Sequence, residues 1–330
     1  MRMILMNISR LPLVAAALTA TLALSACGST GADDGKVEVL ASFYPLEYVA
    51  AQVGGDRVTV SGLTPAGGDP HSLELAPAAV RSIGAADVVV VQSGFTEAVD
   101  QAVAASSPAH LVDAAPYATL GGEVHEEDGA EEAEHEEEEA EHEDEAAGHE
   151  GHDHSGADPH FWLSPGRLVP LASDVADALT AADPDGAAEY AANAQALVDQ
   201  LRALEESYSS GLQTCAADVL VTTHEAFGYV TDDFGLTQVG ILGLDPEVEA
   251  SPARLREIGA VVAENDVSTV FVEAGASAKM TEVLASDLDV ATSTLNPLET
   301  LTKEEREAGQ DYASIMTTNL DNLRTALDCG

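Results

Sequence analysis

Ten histidines lie along this chain of 330 residues, and their neighbours divide them into two sets. Six of them, His125, His135, His142, His149, His152 and His154, sit in residues 123–154 among 17 acidic residues, with no Lys or Arg. Three of the other four sit in turn-forming words. His71 closes Thr64-Pro-Ala-Gly-Gly-Asp-Pro-His71, His160 lies in Asp158-Pro-His160-Phe-Trp-Leu-Ser-Pro165, and His224 lies in Thr222-Thr-His224-Glu-Ala-Phe-Gly-Tyr229. Neutral imidazole is a good ligand for borderline divalent ions, and three of them leave one tetrahedral place for a carboxylate or water. The separations of 89 and 64 residues match no zinc finger or ribbon. A shared site therefore requires a fold that brings distant loops together. Taken singly, each histidine is read more readily as structural or solvent-exposed, and His110, which opens a short strand, is read as structural.

The elements that must position these loops follow from the apolar pattern. Strands are expected at 37–41, 57–63, 87–91 and 110–112, alternating with helices at 44–53, 77–85 and 95–105. After a helix over 166–182, Asp183-Pro184 interrupts, and a helix over 184–212 carries Leu197, Leu201 and Leu204 near helical spacing. The alternation then resumes, with strands at 218–222, 238–242, 269–273 and 290–295 and helices at 226–234, 252–265, 279–288 and 311–327. Such alternation implies parallel sheets covered by helices. The expected fold is α/β: two lobes, 37–183 and 213–330, each a mostly parallel sheet flanked by helices, joined by one long rigid helix at 184–212. In open sheets of this kind ligands bind beyond the carboxyl ends of the strands, where the three histidine loops fall.

The balance of 58 acidic against 13 basic residues repels nucleic acid and attracts cations, so nucleic-acid binding is set aside. Residues 1–26 read as an export signal, with Arg2 and Arg10 before a short apolar run. Leu24-Ser25-Ala26-Cys27 resembles the lipobox of bacterial lipoproteins, which places a lipid on Cys27 and a flexible tether over 27–36. Of three cysteines, Cys215 and Cys329 then remain, either as a disulfide in an oxidising compartment or as two free thiols; the disulfide is the favoured reading.

The words around the histidines are similar to those of the zinc-uptake branch of the ABC-importer solute-binding proteins. The resemblance runs over nearly the whole chain beyond the signal. It starts at Ser42-Phe-Tyr-Pro-Leu46 and passes through the three histidine words. It ends at Asn296-Pro-Leu and Asp311-Tyr-Ala-Ser-Ile-Met-Thr-Thr-Asn-Leu320. It implies a monomeric, non-enzymatic Zn²⁺ carrier, held outside the cytoplasm on the outer face of the cell membrane by its N-terminal lipid. The carrier would hand zinc to a membrane permease served by a cytoplasmic ATPase. It implies His71, His160 and His224 as metal ligands, with His at the third place where manganese proteins tend to have Glu. The fourth place falls on Glu273 of Val270-Phe-Val-Glu273-Ala, either as a direct ligand or as a hydrogen-bond acceptor behind a ligating histidine. Two other readings compete: a zinc store or adhesin, and a zinc hydrolase, for which no His-Glu-x-x-His word is present.

An acidic, histidine-rich insertion is itself a feature of that zinc branch. Here it spans 123–156, lacks any apolar period and is expected to be disordered without metal. Its six histidines form an expected set of weak secondary zinc sites, against the plainer reading of a solvated charge run. Deleting residues 123–154 should therefore lower the number of zinc ions bound in a calorimetric titration; an unchanged stoichiometry would mean that the extra sites do not exist.

Overall fold

The computed structural model describes residues 35–120, 158–273 and 278–330. The signal, Cys27 and the six histidines of the acidic insertion lie outside the described residues.

The first sheet takes β1 (Val37–Ala41), β2 (Val58–Gly62), β3 (Val88–Val91) and β4 (His110–Asp113) in the order β2-β1-β3-β4. All its pairings are parallel. Between its strands run α1 (Tyr44–Gly54), α2 (Pro77–Ile83) and α3 (Glu97–Ser106). Two helices follow, α4 (Leu168–Ala182) and α5 (Ala187–Leu212). The second sheet takes β5 (Val219–Thr222), β6 (Thr237–Gly240), β7 (Thr269–Val272) and β8 (Ala291–Thr294) in the order β6-β5-β7-β8, again all parallel. Its helices are α6 (Gly228–Phe234), α7 (Pro252–Glu264) and α8 (Ala278–Asp287), followed by α9 (Lys303–Glu307) and α10 (Tyr312–Ala326). The α/β architecture of two parallel sheets flanked by helices is the one the alternation implies. The short α9 is the element the apolar pattern does not signal: it has no buried residue and is held by a capping box between Thr302 and Glu305.

Strand period 2 divides the core. Along β3, Val88 and Val90 face one cluster while Val89 and Val91 face another, beneath α2 and α3. In the second sheet Leu220 and Phe271 face the first of these clusters, and Val221 and Val270 face a third, beneath α7 and α8. The shared cluster continues from the first sheet through α1, α4, α5 and α10 to the second, so both sheets rest on one apolar body.

The 26 residues of α5 make a rod about 39 Å long. Its buried side is Tyr190, Ala194, Leu197, Val198, Leu201, Leu204, Tyr208 and Leu212, the three- and four-residue steps of an amphipathic helix. Its N-terminal half packs on α1 and α4 and its C-terminal half on α10, where the Tyr208 hydroxyl donates to the Met316 carbonyl at 2.7 Å. Just beyond α5, Cys215 is joined by a disulfide to Cys329, 114 residues later. Among the described residues no helix is long and apolar enough to cross a membrane.

Because the disulfide closes a loop of more than a hundred residues, replacing both cysteines by Ser is expected to lower the unfolding free energy by about 2–4 kcal/mol. Urea unfolding of the metal-free protein measures this; an unchanged midpoint would show that the bond adds nothing to the contacts around it.

Candidate metal centre

All the residues of the site except His160 lie beyond the carboxyl ends of strands. His71 lies in the loop after β2, and His160 in the segment between β4 and α4. His224 stands two residues past β5, Glu273 directly past β7, and Glu299 in the loop after β8.

The two Asp-Pro-His words fold alike. Asp69 Oδ1 accepts the backbone N–H of His71 at 2.8 Å, and Asp158 Oδ1 accepts that of His160 at 2.9 Å. Each aspartate thus closes a turn across the intervening proline. Asp158 also accepts from Nδ1 of the His160 ring at 2.8 Å, which leaves Nε2 facing the centre of the site. The Tyr229 hydroxyl donates to the Asp158 carbonyl at 2.7 Å, tying this loop to the segment that carries His224. The His71 ring packs on the edge of Phe95, with centroids 4.8 Å apart. Trp162, wholly buried, donates from Nε1 to the Pro297 carbonyl at 2.8 Å and so holds the Glu299 loop.

His224 is gripped by Glu273. One carboxylate oxygen accepts the His224 backbone N–H at 3.1 Å and the other is hydrogen-bonded to Nδ1. Because β7 lies beside β5, a carboxylate at the end of β7 meets the Nδ1 edge of that ring, away from Nε2. The resemblance implies Glu273 either as a ligand or as an acceptor behind a histidine, and here it lies behind His224. The carboxylate among the Nε2 atoms is that of Glu299, whose Oε1 lies 3.1 Å from His71 Nε2, 3.4 Å from His160 Nε2 and 3.2 Å from His224 Nε2. His160 Nε2 is 3.3 Å from that of His71 and 3.4 Å from that of His224. One donor atom from each of the four residues thus falls within 4.8 Å of the others.

These separations match the shape of a zinc sphere. Ligands about 2.0–2.1 Å from a tetrahedral ion stand about 3.3–3.4 Å from one another. Five donor–donor distances between 3.1 and 3.4 Å trace such a tetrahedron. Three imidazole nitrogens and one carboxylate oxygen suit Zn²⁺, whereas manganese prefers more oxygen and a higher coordination number. His160 and His224 are almost wholly buried, while the side chains of His71 and Glu299 each keep 11% exposure, so the site opens on their side.

Sequence reasoning does not single out Glu299. Its signal was position: Asn296-Pro297-Leu298 ends one residue before it, in the loop after a strand, where the other donors also lie.

The charges are tightly linked. Burial opposes a charge on His224, but Glu273 and Glu299 outweigh it and push its pKa up to about 10. Burial likewise opposes a charge on His160, and hydrogen bonds to Asp158 and Glu299 raise its pKa. Burial alone would raise the pKa of Glu299; hydrogen bonds to the three imidazoles hold it well below the usual carboxylate range.

A family model described as "Zinc-uptake complex component A periplasmic" matches residues 39–326. The chain is 36% identical over 321 residues to the zinc-binding lipoprotein AdcA of Streptococcus pneumoniae serotype 4, covering 97% of this chain and 61% of AdcA. It thus spans about three fifths of the length of that relative. It is 33% identical over 313 residues to the high-affinity zinc uptake system protein ZnuA of Bacillus subtilis strain 168, covering 93% of this chain and 94% of the relative. The crystal structure of the Zn(II)-bound ZnuA-like domain of Streptococcus pneumoniae AdcA superposes with a TM-score of 0.70 at 31% identity, over 89% of this chain and all of that one.

A metal needs the lone pair of His224 Nε2, and at neutral pH the raised pKa puts a proton on the ring. Zinc binding at pH 7 should therefore release protons, and affinity should rise with pH by up to about tenfold per unit for each proton displaced. Calorimetry in two buffers of different ionisation enthalpy tests this; binding with no proton release would contradict it.

Proposed function

Since this chain belongs to the ZnuA family of zinc-uptake components, we propose that it captures one Zn²⁺ ion between its two sheets, on His71, His160, His224 and Glu299, and delivers it to an ABC-type importer. The observation that carries this reading is the near-tetrahedral set of three Nε2 atoms and one carboxylate oxygen. Four protein donors make a closed sphere, which favours holding the ion over activating a water on it. A zinc hydrolase instead keeps a place for the water it activates.

Cargo must be held tightly and still be released. The burial of His160 and His224 and the braces on their Nδ1 edges favour retention. The partly exposed side of His71 and Glu299 is the route for exchange. Release would follow docking on a membrane permease, with a cytoplasmic ATPase driving the transfer. A lipid on Cys27 would keep the carrier at the outer face of the membrane, and the Cys215–Cys329 disulfide accords with that oxidising location. The histidine-rich insertion would serve as a second, weaker set of zinc sites in addition to the main one.

Competition titration with a zinc chelator tests the ligand set. His71→Ala, His160→Ala and His224→Ala should each weaken zinc binding by at least about 100-fold, while Glu273→Gln, acting from behind His224, should cost about tenfold. Three histidine variants that bind zinc as the unaltered protein does would sink the proposal.

A further inference from the structure

Glu299 stands on a loop whose form is decided some distance away. The last sheet bond along this strand is from the Leu295 N–H to the Val272 carbonyl at 3.2 Å. At Asn296 the chain leaves the sheet, and its backbone groups need new partners. Asn319 of α10 supplies both: its Oδ1 accepts the Asn296 N–H at 2.9 Å and its Nδ2 donates to the Asn296 carbonyl at 2.8 Å. Three residues on, along the same helix face, Asn322 donates to the Thr294 carbonyl at 2.8 Å. The two amides thus continue the sheet beyond its edge strand.

Fixed in this way, the Asn296 side chain shapes the turn that follows. Its Oδ1 accepts the Leu298 N–H at 2.8 Å, and its Nδ2 donates to Glu305 at 2.9 Å, the glutamate that closes the capping box of α9. Between these anchors Leu298 takes a φ of +58°, a left-handed conformation that a bulky residue adopts only under outside constraint. The next residue is Glu299. Asn319 is only 2% exposed and is the one amide side chain on the buried face of α10, otherwise Tyr312, Ile315, Met316, Leu320 and Leu323.

We propose that Asn319 is a positioning residue for the metal: by pairing with the backbone of Asn296 it holds the left-handed turn at Leu298 and so sets where the Glu299 carboxylate meets the three imidazoles. The proposal rests on Glu299 being a zinc ligand. Its plainer rival is that a buried amide merely satisfies a strand end and matters to stability alone.

A double-mutant cycle separates the two. Asn319→Ala, Glu299→Gln and the double variant are compared with the unaltered protein by zinc competition titration and by the visible absorption of bound Co²⁺, which reports the coordination geometry. Asn319→Ala is expected to weaken zinc binding by about tenfold and to alter the Co²⁺ band, yet to have no further effect once Glu299 is Gln. An Asn319→Ala protein that binds zinc within twofold of the original with an unchanged Co²⁺ band overturns the proposal. An equal loss in both backgrounds overturns it too and leaves Glu299 a ligand. Glu299→Gln binding zinc like the unaltered protein fails the ligand assignment itself, and the positioning role with it. If Asn319→Ala does not fold, Asn319→Asp serves in the same cycle, since it keeps the acceptor for the Asn296 N–H and removes only the donor to the Asn296 carbonyl.

Discussion

Four electron-pair donors crowded into one small volume set the terms for the rest of this molecule. Glu299 and the three histidines bring their donor atoms within 3.1 to 3.4 Å of one another along most of the cluster. Such a cluster does not pack like a core. It must be held open to a cation and braced from behind. Each member has a brace of its own kind: Asp158 for His160, Glu273 for His224, the edge of Phe95 for His71, and the anchored turn at Asn296 for Glu299. Charged hydrogen bonds buried this deeply lose little to solvent, so they fix the rings more firmly than the same contacts would at a surface.

The scaffold answers the same demand at larger scale. Two sheets with one strand order present the carboxyl ends of their strands to a common space, and the donors come from both. A single apolar cluster runs beneath both sheets and along α5. Parting the sheets widely would expose that cluster, whereas moving a loop at the rim would not. Rim positions are where His71 and Glu299 sit.

Much of this is written plainly in the amino-acid order. Strand and helix alternation is strong wherever a run such as Val88–Val91 is buried on both faces, and Ser251-Pro252 marks the start of α7 through a cap and a proline. Two of the histidines stand out because each closes an Asp-Pro-His turn word. The fourth donor is less legible. Glu273 and Glu299 are both acidic residues beyond strands of one sheet. Which of them reaches Nε2 and which reaches Nδ1 depends on strand adjacency and on a left-handed turn at a leucine, and neither has a signature in a single sequence. The expected helix over 184–212 begins as a short 3₁₀ turn, Pro184–Gly186, since a proline there presets the first turn but Gly186 weakens it.

The disulfide between Cys215 and Cys329 matters most for what it denies the chain. Helix ends ordinarily fray, with their last turns opening and closing against solvent. Here the residues just past α10 are stitched to the end of α5, and Gly330 donates its N–H to the Thr214 carbonyl at 2.9 Å. The helix that carries Asn319 is thereby pinned at its carboxyl end, and an opening of its last turn stops short of the amide that holds the Glu299 loop.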